Sequence, residues 1–161
     1  MPKVNKNRIK ILNDSEPNAQ SGEYVLYWVL MFRRSKYNHA LQRAIEWANE
    51  LNKPLLIFEP IQLRYEWSNK RFQQFILESM KNSFDVFETS KAGYFPFVET
   101  SEGEIDGLFE SLIKKACVVI GDDFPAFFIK ILIFPRNNLI LAFLRHFVTL
   151  IKLQDIIEYI Y

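Results

Sequence analysis

Two adjacent arginines, Arg33 and Arg34, follow the apolar run Tyr24 to Met31, and two adjacent aspartates, Asp122 and Asp123, follow the run Cys117 to Gly121. Guanidinium groups at a strand end can clamp a ligand carboxylate or phosphate through paired N–H donors. The competing use of such arginines is a solvated turn, and it is the commoner one. The aspartates pose the same choice, between lining a cleft and capping the turn or helix that follows. Phe32 and Asn38 complete the corner, with Asn38 or Ser35 a candidate helix cap. Other chemistries find no support in the spacing. The stretch "VLMFRRSKYNHA" has no glycine for a dinucleotide or P-loop turn. Two histidines, His39 and His146, with the single Cys117 make no metal-ligand pattern, so no metal is expected. No serine lies in a nucleophile elbow, and Cys117 reads as a small buried hydrophobe, so no catalytic residue is expected either.

The elements that must position this corner alternate. "YVLYWVLM" is apolar on both faces, as in a central strand covered by helices on each side. Leu41, Ala44, Ile45, Ala48 and Leu51 recur at helical spacing, and Pro54 to Glu59 form a second strand. Phe72, Phe75, Ile76 and Met80 mark a second helix. "YFPFV", Tyr94 to Val98, follows as a strand whose Pro96 places it at a sheet edge. Ile105, Leu108, Phe109, Leu112, Ile113 and Ala116 trace a third helix leading into Cys117 to Gly121. The expected fold is therefore α/β: a Rossmann-like open parallel sheet with helices on both faces and strand order 3-2-1-4. A switch point between strands 1 and 4 would bring Phe32, Arg33, Arg34, Asp122 and Asp123 together. Trp28 reads as core, Trp47 and Trp67 as core or boundary packing, and His39 as structural or solvent-facing.

At 161 residues and 49% hydrophobic, the chain suits one domain, burying roughly 70% of its unfolded surface. A net charge of +1 gives no strongly basic footprint for nucleic acid. The polar, basic start does not read as a secretory signal, and the lone cysteine suits a reducing cytoplasm. Residues 1–22 are expected to form an amino-terminal arm and 23–128 the α/β domain. Residues 129–161 are expected to be a divergent apolar tail, whose low-diversity composition suits an out-of-frame reading or a substitute helix and strand. Lys130, Arg136, Arg145 and Lys152 interrupt that tail before roughly 18 apolar residues accumulate, so no membrane span is expected.

"YVLYW", then "FRRSKYNHALQRAIEWANELNKPLLIFE", "LRYEWSNKRFQQFILESM", "YFPFVET" and "VVIGDDFPAFF" together resemble the amino-terminal α/β domain of the DNA photolyase and cryptochrome family, class II in particular. The resemblance covers about Arg8 to Phe128. It implies an antenna-type domain that can carry a deazaflavin or folate chromophore near its strand ends. Phe32, Arg33, Arg34, Asn38, Asp122 and Asp123 are then candidate pocket or domain-interface residues. In full-length relatives the pigment passes energy to reduced FAD in a helical domain, and the flavin repairs a pyrimidine dimer flipped from damaged DNA. After Phe128 the likeness ends, which implies a truncated form with no FAD site and no repair activity alone. Two other readings stand beside it. One is a free-standing module that binds a deazaflavin, folate or nucleotide, or docks to a helical partner; the other is a poorly folding product of a decaying gene.

Overall fold

The computed structural model describes residues 3–12, 16–62, 69–101, 103–123 and 147–148. The chain alternates β1 (Tyr24–Trp28), α1 (His39–Leu51), β2 (Leu55–Ile61), α2 (Lys70–Glu88), β3 (Gly93–Val98), α3 (Glu104–Lys115) and β4 (Ala116–Gly121). These four strands make an all-parallel sheet in the expected order β3-β2-β1-β4. A two-residue strand, β5 (Phe147–Val148), adds a parallel rung beside Val119 and Ile120. The rest of the stretch after Asp123 lies outside the described residues, as do Trp67 and His146, so the out-of-frame reading of the tail falls there too.

β1 is central because both of its faces are apolar. Val25 and Tyr27 join Leu41 and Ala44 of α1 in one core, while Leu26 and Trp28 join Phe109 and Ile113 of α3 in the other. Trp28 packs against Phe109 at a ring-centroid distance of 4.1 Å. Each such fully buried side chain contributes roughly 1.5–3 kcal/mol over its exposed state. β3 is the sheet edge that Pro96 demands. Pro60 of β2 is tolerated for a related reason: β1 ends opposite Phe58, so the missing N–H lies past the last β1 rung.

The helices begin and end where side chains permit. Asn38 caps α1, its Oδ1 accepting from the Leu41 N–H at 3.0 Å, and Asn52 closes the helix in the left-handed region at φ 51°. Glu104 and Asp106 in the first turn of α3, and Lys114 and Lys115 in its last, complement the helix dipole. Two details differ from expectation. α2 buries Ile76, Met80 and Ser83 and packs Phe87, and that face rotates Phe72 and Phe75 onto the helix flank, where they are exposed. β1 stops at Trp28 rather than Met31, because the next backbone N–H groups turn toward a single carboxylate. No helix among the described residues is long and apolar enough to cross a membrane.

Gly22 marks where the arm meets the sheet. A Cβ there would stand 2.6 Å from the Asn18 carbonyl oxygen and 2.7 Å from the Cys117 Cα, both backbone atoms. Gly22→Ala should therefore cost about 1–3 kcal/mol, read as a lowered urea midpoint, whereas an unchanged midpoint would show that the arm does not pack on β4.

Candidate functional site

Asp122, fully buried at the end of β4, organises the carboxyl edge of the sheet. Its Oδ2 accepts from three successive backbone N–H groups, of Leu30 at 3.0 Å, Met31 at 2.9 Å and Phe32 at 3.0 Å. An extended strand points alternate N–H groups to opposite sides, so three converging donors mean that β1 has already ended. Oδ1 accepts from the Tyr27 hydroxyl at 2.8 Å. The Asn38 amide nitrogen in turn lies 2.9 Å from the Tyr27 oxygen, 2.9 Å from the Phe32 carbonyl and 3.0 Å from the Arg34 carbonyl. Asp122, Tyr27 and Asn38 thus form one buried network that fixes the loop from β1 to α1.

The fixed loop sends the two arginines to different places. The Arg33 guanidinium donates to Glu59 Oε1 at 2.8 Å and to the Pro60 carbonyl at 3.1 Å. Glu59, buried within β2, also accepts from the Tyr94 hydroxyl at 2.7 Å. Arg33 is therefore a partly buried strut between loop and sheet. Arg34 takes the opposite direction, its guanidinium 5.3 Å from the centre of the Phe32 ring.

Arg34 and Phe32 line a cavity of about 340 Å³ at the carboxyl ends of β1 and β4, the switch point of the sheet. Asn38, Asp122 and Asp123 line it too, so five of the six corner residues meet there and Arg33 does not. The remaining wall includes Arg8, His39, Arg43 and the apolar Val4, Ile9 and Ile120. Arg8, Val4 and Ile9 come from the arm, which crosses the cavity as a strap. The Val4 N–H donates to Glu46 at 2.7 Å, and Lys10 pairs with Asp123 at 2.6 Å. Asp123 thus tethers the strap.

Sequence reasoning missed Arg8 and Arg43. Arg43 lies four residues after His39 and so shares its side of α1, a spacing that could have revealed it. Arg8 carries no such signal. Two other hollows carry no carboxylate on their walls. The cleft between α1 and α2 is larger, about 750 Å³, but its floor is Leu41, Ile45, Ala48, Leu55 and Ile57, with lysines at the rim. The third, about 310 Å³, is an apolar hollow between Trp28, Met31, Phe72 and Phe75. A ligand site ordinarily joins an apolar wall to a few convergent polar groups, and the switch-point cavity has both.

Three phenols in this frame resist ionisation. Burial, then the charge of Asp122, holds Tyr27 well above the usual 10.0. Burial, then the Glu59 carboxylate, does the same for Tyr94, while burial, then Glu23, pushes Tyr24 up to about 12. An acid whose pKa is higher folded than unfolded contributes stability that is complete below the unfolded value and is lost as pH rises through the folded one. Burial also pushes the Cys117 thiol up, so stability should stay level to about pH 8 and fall progressively beyond about pH 9. Urea midpoints across that range check this, and a level profile to pH 11 would contradict it.

A search against protein-family models finds no match. A deoxyribodipyrimidine photo-lyase of Methanothermobacter thermautotrophicus is 38% identical to this chain over 79 residues, which is 49% of the chain and 18% of that relative. This chain carries a photolyase-like region. The region matches less than a fifth of the photolyase's length.

Proposed function

We propose that the α/β sheet is the antenna-type domain of a class II-like photolyase, and that its switch-point cavity holds a deazaflavin or folate pigment. The observation that carries this reading is the 38% identity to a photolyase, in a chain whose sheet opens a cavity where such folds bind ligands. The residues fit a flat, partly polar molecule. Phe32, Ile9 and Ile120 offer apolar surface, Arg34 offers donors, and about 340 Å³ lies at the small end of ligand pockets. When bound, such a pigment supplies light absorption and passes excitation energy onward. Phe32 and Ile120 would exclude water from its ring system, Asn38 and Asp122 would hold the loop in place, and Arg34 would orient polar substituents. FAD binding, dimer repair and contact with damaged DNA are assigned to a separate helical domain such as full-length relatives carry, and not to the described residues.

The purified protein's near-UV and visible spectrum beside its size-exclusion profile tests the reading. A monomer that takes up 5-deazariboflavin or a reduced folate and keeps the pigment's band through gel filtration supports it; a monomer that keeps neither contradicts it. A second reading, a module that docks to a helical partner, is favoured by the exposed Phe72 and Phe75 beside the apolar hollow at the same sheet edge. Phe75→Ser should then weaken association with a separately expressed helical FAD domain and leave pigment uptake unchanged.

A further inference from the structure

Two guanidinium groups in the cavity wall pair with no carboxylate among the described residues. Every other formal charge on the wall is spent. Arg43 pairs with Glu46 at 2.8 Å and lies 3.7 Å from Glu50. Asp123 is held by Lys10, and the Asp122 carboxylate is consumed by Tyr27 and three backbone N–H groups. Arg8 and Arg34, both exposed, pair with no carboxylate among the described residues. One comes from the strap and the other from the loop after β1, so two separate segments deliver unspent positive charge to one enclosed space.

The start of α1 adds to the same field. Asn38 satisfies the Leu41 N–H, while His39 and Ala40 of the first turn lie in the cavity wall. A helix amino terminus carries about half a positive charge, and it reinforces the two arginines rather than opposing them. Beside them the Phe32 ring and Ile120 form an apolar floor. Such a wall suits a ligand with two unlike ends, a ring and an anion.

We infer that the cavity selects ligands whose aromatic ring carries an anionic tail, a phosphate ester in particular, held between Arg8 and Arg34. This rests on the pigment-site reading and goes beyond it, because a bare ring would offer neither guanidinium group an anionic partner. Guanidinium matches phosphate through two parallel donors, and a dianion engages two arginines more strongly than the hydroxyls of a neutral tail do. Because Arg8 belongs to the strap, the same contact draws the strap onto the ligand.

The test is a fluorescence titration of the full chain with 5-deazariboflavin and with its 5′-phosphate. The phosphate ester should bind at least about tenfold more tightly, with an advantage that shrinks as salt is raised. Arg34→Met and Arg8→Met should each reduce that advantage by about threefold or more, and together abolish it. Both side chains are exposed, so neither change threatens the fold. Hydrogen exchange in residues 3–12 should slow with the phosphate ester and not with the bare ring. Equal affinity for the two ligands would overturn the inference and leave the pigment site standing. Binding of neither would remove the pigment site and the inference together. A tenfold preference that survives the double Met variant would assign the anion to other groups and refute the role given to Arg8 and Arg34.

Discussion

Asp122→Ala is expected to remove about 4 kcal/mol of stability, a large part of the roughly 5–15 kcal/mol that holds an ordinary domain together. The carboxylate is fully buried and accepts four hydrogen bonds, one from Tyr27 and three from the backbone of Leu30, Met31 and Phe32. Hydrogen bonds to a charged acceptor are stronger than neutral ones, and deleting the acceptor leaves four donors without their partner. Asp122→Asn separates shape from charge. Its amide oxygen can still accept, but its NH2 group turns two more hydrogens toward existing donors, so a loss of about 2–3 kcal/mol is expected. Urea denaturation measures both. Hydrogen exchange adds a local signature, since the amides of residues 30–32 should lose protection before the strands do. A loss under about 1 kcal/mol for the alanine variant would show that the carboxylate does not hold the loop.

The second large effect lies at Glu59. Its carboxylate is buried, is paired with Arg33 at 2.8 Å and accepts from Tyr94 at 2.7 Å. Glu59→Ala strands the Arg33 guanidinium, whose side chain is only 16% exposed, and should cost about 3–5 kcal/mol. Arg33→Met leaves the mirror problem, a buried carboxylate with only a phenol beside it, and should cost a similar amount. The combination Arg33→Met, Glu59→Leu and Tyr94→Phe replaces the whole cluster with apolar groups. Breaking a buried pair is costly while replacing it is often neutral, so the triple variant should recover to within about 1 kcal/mol of the parent. If its deficit instead equals the sum of the separate losses, the three groups act independently and the strut has been misread.

The sheet order was legible for definite reasons. Pro96 could not sit inside a sheet, and the unbroken apolar run from Tyr24 could not sit at an edge, so β3 and β1 were assigned by elimination. The α3 stripe was legible because Ile105, Phe109 and Ile113 stand one helical turn apart and all three are buried. The division of labour between Arg33 and Arg34 was not legible. It depends on β1 ending at Trp28, which depends on a carboxylate 90 residues beyond Phe32. Glu59 did leave a trace, since a charged residue inside "LLIFEP" must find a partner once that strand is buried. Arg8 left none. The arm has no periodicity, and long-range pairings such as Lys10 with Asp123 and Val4 with Glu46 bring it over the cavity.

The central claim is that a pigment binds at the switch point, between the strap and the ends of β1 and β4. Fluorescence titration of 5-deazariboflavin into the parent chain and two space-filling variants tests it most directly. Ala40→Phe fills the switch-point cavity from the first turn of α1, and Ala48→Phe fills the larger cleft between α1 and α2 from the same helix. Saturable binding by the parent and by Ala48→Phe, lost in Ala40→Phe, is the predicted result. Parent binding that Ala40→Phe leaves intact, or no saturable binding by the parent, would contradict the assignment.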